Sequence, residues 1–153
     1  MKAIILTWAK VSDNDVQLLI NTNIHKFAIN QHAEYLKPDF RICSDFGVIA
    51  NLLNNFSQNV ITVRDYVPND RIIYAGHIPF KGSTMIACIE YLLSKGYTQI
   101  LIVGDNTVHQ KTFQNRINHE LKIILNEKSD IKIFQYSNGN FDLPAMSISQ
   151  FII

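Results

Sequence analysis

Apolar and polar positions alternate along this chain in short blocks, with a β-rich apolar run, a polar or glycine-containing turn and then a helical pattern recurring from end to end. Lys2–Thr7 (KAIILT) reads as a buried strand. Ser12 followed by Asp15 forms a capping-box signature ahead of a helix with Val16, Leu19 and Ile20 on one face. His25–Ile29 (HKFAI) is a second strand, ending at Asn30. Asp39–Ser44 (DFRICS) alternates as a strand with one wet face would. Gly47–Asn54 predicts a short helix, and Val60–Val63 and Arg71–Ala75 further short strands.

The second half is more sharply patterned. Ser83–Lys95 is a helix apolar over most of its circumference, closed by Gly96 at the C′ position. Gln99–Val103 (QILIV) is a continuous apolar strand, as a parallel sheet covered on both faces requires. Val108–Glu127 is amphipathic, with Phe113, Ile117, Leu121, Ile124 and Leu125 in one stripe. Ile131–Tyr136 is the last strand, Asn138-Gly139-Asn140 signals a turn, and the tail LPAMSISQFII is expected to pack back on the body. Alternating strands and helices predict an α/β fold: a three-layer α/β/α sandwich, Rossmann-like, with a mostly parallel sheet, in one domain over residues 1–153.

Composition narrows the function classes. With 153 residues, 47% apolar and 18% charged, the chain is long and apolar enough for its own core. Fourteen Lys and Arg against thirteen Asp and Glu leave a formal charge of +1, so no broad field recruits nucleic acid or an anionic membrane. No stretch reaches the roughly 18 apolar residues of a membrane span. The opening MKAIILTWAK has a short apolar run cut by Lys10 and no small-residue cleavage site, so it is not read as a signal peptide. Cys43 and Cys88 sit in apolar segments without metal-ligand spacing and read as buried thiols. A cytoplasmic protein is the expectation.

In an open parallel sheet, ligands bind beyond the carboxyl ends of the strands. The polar residues directly following strands are Thr7–Lys10, Asn30–His32, Asp45, His77–Lys81 and Gly104–His109. His77 and His109 are the candidate general bases; His25 and His119 read as structural or solvent-facing. Asp45 either N-caps the following helix or contacts a ligand. Lys81-Gly82-Ser83-Thr84 could cradle a phosphate, with Gly82 for close approach and Lys81 for charge, or Ser83 could simply cap a helix. The spacing is not that of a Walker A motif. Asp105 and Asn106, after Gly104, suit a ribose hydroxyl, a divalent metal ion or a turn. No Gly-X-Ser-X-Gly elbow or aspartate dyad supports a hydrolase.

Three segments carry a family resemblance: FAINQHAEYLKPDFRICSD (Phe27–Asp45), KGSTMIACIEYLLSKGYTQILIVGDN (Lys81–Asn106) and IKIFQYSNGNFDLPAMSISQFI (Ile131–Ile152). Their order resembles the Rossmann-like domain of the 6-hydroxymethylpterin diphosphokinase-like and motility accessory factor group. That domain is in turn similar to the core of family 42 sialyltransferases. The resemblance implies a glycosyltransferase-like or diphosphotransferase-like domain that binds a nucleotide or nucleotide-sugar at the carboxyl edge of the sheet. Asn30, Asp45, Ser83 and Asp105 are the positions carried over, with Asp45 or Asp105 holding ribose or a divalent metal ion. This chain departs from the family after the first strand, where Thr7-Trp8-Ala9-Lys10-Val11-Ser12 replaces a Gly-rich turn. The alternative expectation is a non-catalytic Rossmann-like module whose surface serves a partner or a homo-oligomer.

Overall fold

The computed structural model describes residues 1–8, 10–66, 68–104, 111–136 and 139–153. Seven strands form one sheet: β1 (Lys2–Leu6), β2 (His25–Ile29), β3 (Phe40–Ile42), β4 (Asn59–Thr62), β5 (Ile72–Tyr74), β6 (Gln99–Val103) and β7 (Lys132–Gln135). Their order is β5-β4-β3-β2-β1-β6-β7. Every pairing is parallel, so the expected mostly parallel sheet is wholly so. The α/β, Rossmann-like class follows directly. The helices are α1 (Asp13–Asn21), α2 (Phe46–Asn55), α3 (Thr84–Ser94), α4 (Lys111–Glu127) and α5 (Ile148–Phe151), with a 3₁₀ turn at Glu34–Leu36.

The chain winds outward from β1 to β5, then returns to place β6 on the other side of β1. Right-handed crossovers allow only one helix placement for such a path: connections running in opposite directions lie on opposite faces. The packing agrees. Ala3, Ile5, Phe27, Ile29, Ile100 and Ile102 meet Ile86, Ile89 and Leu92 of α3 and Ile117, Leu121 and Ile124 of α4. The alternate residues Ile4, Leu6, Ala28, Leu101 and Val103 meet Leu19 of α1 and Ile148 and Phe151 of α5. Cys43 and Val60 meet Ile49 and Leu52 of α2. Period-two alternation thus feeds two cores, and each fully buried Ile or Leu contributes roughly 1.5–3 kcal/mol. The tail packs back as expected, its short helix started by a Ser147–Gln150 capping box.

Two local expectations are corrected. From Arg41 to Ser44 the expected strand has no wet face, because the 3₁₀ turn and the Phe56–Gln58 segment cover Arg41, which is completely buried. At the start of α1, Ser12 Oγ accepts from the Asp15 N–H, while the Asp15 carboxylate accepts from the Tyr136 hydroxyl. That second bond ties α1 to the end of β7. Burial, and secondarily Asp15, raises the Tyr136 pKa. Among the described residues, no helix is long and apolar enough to cross a membrane.

Candidate functional site

The strand order reverses at β1 and β6, the place where doubly wound sheets open a crevice. Here the carboxyl ends of those two strands touch. Gly104 has φ +120°, and a methyl group there would overlap Thr7 Oγ1 and lie 2.6 Å from the Trp8 carbonyl oxygen. Only glycine tolerates both the backbone angle and the space. Close backbone approach at the carboxyl end of β1 comes in this chain from the residue after β6.

The open space lies one strand over. Thr7, Trp8, Gln31, His32, Ala33 and Tyr35 line a cavity of about 360 Å³ at the carboxyl ends of β1 and β2. Trp8 and Tyr35 are 56% and 51% exposed, so each offers a ring to the solvent side of the cavity. His32 meets Trp8 edge-on, with ring centroids 5.8 Å apart. That volume falls within the range of small-molecule sites, which combine apolar walls with a few polar groups.

The wall contributed by β2 is strained and held. Asn30, Ala33 and Lys37 have φ of +53°, +61° and +52°. A left-handed conformation costs roughly 1–2 kcal/mol for most side chains, asparagine being the most tolerant. Arg41 secures the segment from below. Its Nη1 donates to the Asn30 and His32 carbonyls at 2.9 and 2.7 Å, its Nη2 donates to Glu34, and its Nε donates to Gln58 Oε1 at 3.1 Å. The guanidinium also lies 4.2 Å from the centroid of Phe56. Burial lowers the Arg41 pKa, and the bond and charge of Glu34 oppose that shift. Asn30 Oδ1 is itself buried without a partner, as are Ser44 Oγ at the end of β3 and Arg71 Nε. A buried polar atom left unpaired costs about 1–3 kcal/mol.

The other sequence-predicted residues divide among separate places. Asp45 caps α2, its Oδ1 accepting from the Gly47 and Val48 N–H groups at 2.9 and 3.3 Å. Ser83 caps α3, its hydroxyl accepting from the Ile86 N–H at 3.3 Å. Gly82 has φ +80°, and a methyl there would lie 2.6 Å from Arg116 Nη1. The cation beside the Gly82-Ser83-Thr84 turn is therefore Arg116 of α4. Lys81 turns away to Glu90 at 2.8 Å and Glu120 at 3.8 Å, and the bond to Glu90 leads the causes that raise its pKa. His77 Nε2 lies 3.4 Å from Ser94 Oγ. Ser94 ends α3, about 16 Å along the helix from the Ser83 cap. His77 and Lys81 line a second cavity of about 300 Å³ beside α3 and α4, with Glu90, Glu127 and Lys128. Asn30 and Asp45 follow adjacent strands at the carboxyl edge, while Lys81 and His77 do not join the β1–β2 cavity. Asp105, Asn106 and His109 lie outside the described residues.

No protein-family model matches the chain, nor does a curated protein or a solved structure do so significantly. The sequence placed His32 at the rim, and Trp8 within the rim segment Thr7–Lys10, but singled out none of Tyr35, Arg41 and Arg116. Trp8 carried a signal, since an aromatic directly after a buried strand has no core to enter. Arg41 carried none, because a buried arginine inside an alternating strand reads as its wet face.

Proposed function

We propose that the chain is a Rossmann-like binding module that takes up a nucleotide or nucleotide-sugar in the β1–β2 cavity. The observation that carries this reading is the cavity itself, at the carboxyl edge, with Trp8 and Tyr35 exposed on its walls. A planar base laid against either ring gains apolar and stacking contact worth about 1–3 kcal/mol. Gln31, His32 and the Thr7 hydroxyl supply polar groups for the base edge or sugar. None of the described lining residues is Lys or Arg, so the phosphates would point outward into solvent. Arg116, beside the start of α3 at Gly82, is the alternative anion contact. A divalent metal ion would accompany the diphosphate from solvent, since no group of three or more His, Cys, Asp or Glu residues is placed for a metal among the described residues.

Glycosyl or diphosphoryl transfer is the second reading, and His32 in the cavity wall favours it as the base within reach of a bound acceptor. Calorimetric titration with CMP, UDP-glucose and ATP, with and without magnesium, tests binding. Saturable heat with quenching of Trp8, the single tryptophan, is the expected result. Absence of heat and of any thermal shift with all three would reject the proposal. Product formation from a donor, lost in His32→Ala with binding retained, would select the transfer reading.

A further inference from the structure

Apart from Met1, Ile153 and Phe80, every exposed large apolar side chain among the described residues is an aromatic that ends or follows a strand at the carboxyl edge of the sheet. Trp8 follows β1, Tyr35 follows β2, Phe46 follows β3, Tyr74 ends β5 and Phe80 comes after it. Half-buried Tyr66, after β4, completes the series. The outer faces of α1, α3, α4 and α5 carry none. Such a distribution is not the scatter of single apolar residues that a surface normally shows. Neighbouring strands lie about 4.8 Å apart, so the four steps from β1 to β5 span about 19 Å.

These rings are exposed yet held. Trp8 is braced by the His32 edge, and Phe46 lies 5.8 Å from Tyr66. Phe80 has the Arg64 guanidinium 4.7 Å from its centroid. Tyr74 bonds Asp65 through its hydroxyl and lies over Gly76, where a methyl would collide with it. Fixed aromatic faces offer contact area at little entropic cost.

Charge selects the occupant. The same segments carry Lys10, Lys37, Arg64 and Lys81 against Glu34, Asp45 and Asp65, and Lys81 is held by Glu90 and Glu120. A polyanion needs a cationic track, and this edge is balanced. A saccharide chain built from neutral sugars carries no charge. Each pyranose ring has an apolar C–H face that lies flat on an aromatic ring and a hydroxyl edge for polar neighbours. We infer that the carboxyl edge from β1 to β5 is an extended row of subsites for a neutral oligosaccharide, with the β1–β2 cavity at its head. This rests on the reading of that cavity as a nucleotide-sugar site, whose sugar would stand where the row begins.

The test titrates cellohexaose, chitohexaose and maltohexaose, and the corresponding disaccharides, into the protein by calorimetry and Trp8 fluorescence. At least one hexamer should bind about tenfold or more tighter than its disaccharide. Phe46→Ala and Tyr74→Ala should each weaken the hexamer by about tenfold while leaving the disaccharide unchanged. Phe46→Leu and Tyr74→Leu, which keep bulk without an aromatic face, guard against loss through misfolding and should show the same selective loss. Equal affinity for hexamer and disaccharide in all three series would overturn the inference. So would binding of oligo-dT that weakens with salt, or a dimer in sedimentation that Phe46→Ala dissociates. UDP-glucose binding without any hexamer gain retires the row and leaves the cavity reading standing. A hexamer gain without nucleotide binding retires the nucleotide reading and keeps the row.

Discussion

Replacing Arg41 by Met should cost about 3 kcal/mol, and the structure shows where that figure comes from. The guanidinium is wholly buried and donates to two backbone carbonyls, Asn30 and His32, and to two side chains, Gln58 and Glu34. A full buried-pair penalty of about 3–5 kcal/mol applies when the orphaned partner stays buried. Glu34 is 50% exposed, so its carboxylate regains water and adds little. The two carbonyls face a side chain that is wholly buried, and leaving each unpaired costs about 1–1.5 kcal/mol. Methionine keeps the contact with Phe56 but cannot restrain the left-handed residues Asn30 and Ala33. For a chain of this size the change lowers Tm by about 6–12 °C. Glu34→Gln keeps an acceptor for Nη2 and should cost about 1 kcal/mol or less. Urea unfolding followed by circular dichroism gives both values. Trp8 fluorescence reports in parallel whether His32 has left the indole edge. Stability within about 0.5 kcal/mol of the parent for Arg41→Met, or equal losses for the two variants, would refute the view that carbonyl capture is the main contribution.

Four further outcomes follow from the same contacts. Gly104→Ala, forced to φ +120° against Thr7 and the Trp8 carbonyl, should destabilise by about 2 kcal/mol or more in urea melts. Lys81→Ala should lose at most about 1 kcal/mol, its ion pairs being partly exposed, and should leave nucleotide titrations unchanged. Trp8→Ala and Tyr35→Ala should weaken nucleotide binding about tenfold each by calorimetry, with Tm nearly unchanged because both rings are half exposed. Burial pushes the Cys43 thiol up to about 11 and raises Cys88 as well. Protonated thiols are therefore favoured by folding: their contribution is complete below about pH 8.5 and fades as pH climbs through 11. The urea midpoint should fall over that window, less so in Cys43→Ala, and neither thiol should react with a thiol reagent at pH 8 before unfolding.

Much of the fold was legible because it rests on local patterns. Gln99–Val103 needed only its unbroken apolar run, and Gly96 marked the end of α3 with φ +88°. Strand order was not legible: the return from β5 to the far side of β1 depends on long-range pairing that no local pattern encodes. The site was legible in part. Asn30, Asp45 and Ser83 were found as polar residues after strands or before helices, and the caps made by Asp45 and Ser83 were among the readings left open. Lys81 was assigned to the turn by its neighbours Gly82 and Ser83, yet two glutamates from α3 and α4 compete for it. A sequence does not show which carboxylates a fold will bring alongside a lysine. Arg41 shows the same limit from the inside, since its acceptors are backbone carbonyls of a segment eleven residues earlier.

The most direct test of the cavity reading is an amide and indole NMR titration with CMP, UDP-glucose and ATP in the presence of magnesium. Saturable shifts should concentrate at Thr7, the Trp8 indole and Gln31–Tyr35. Shifts confined to His77, Lys81 and Glu90, or none at saturating ligand, would contradict it.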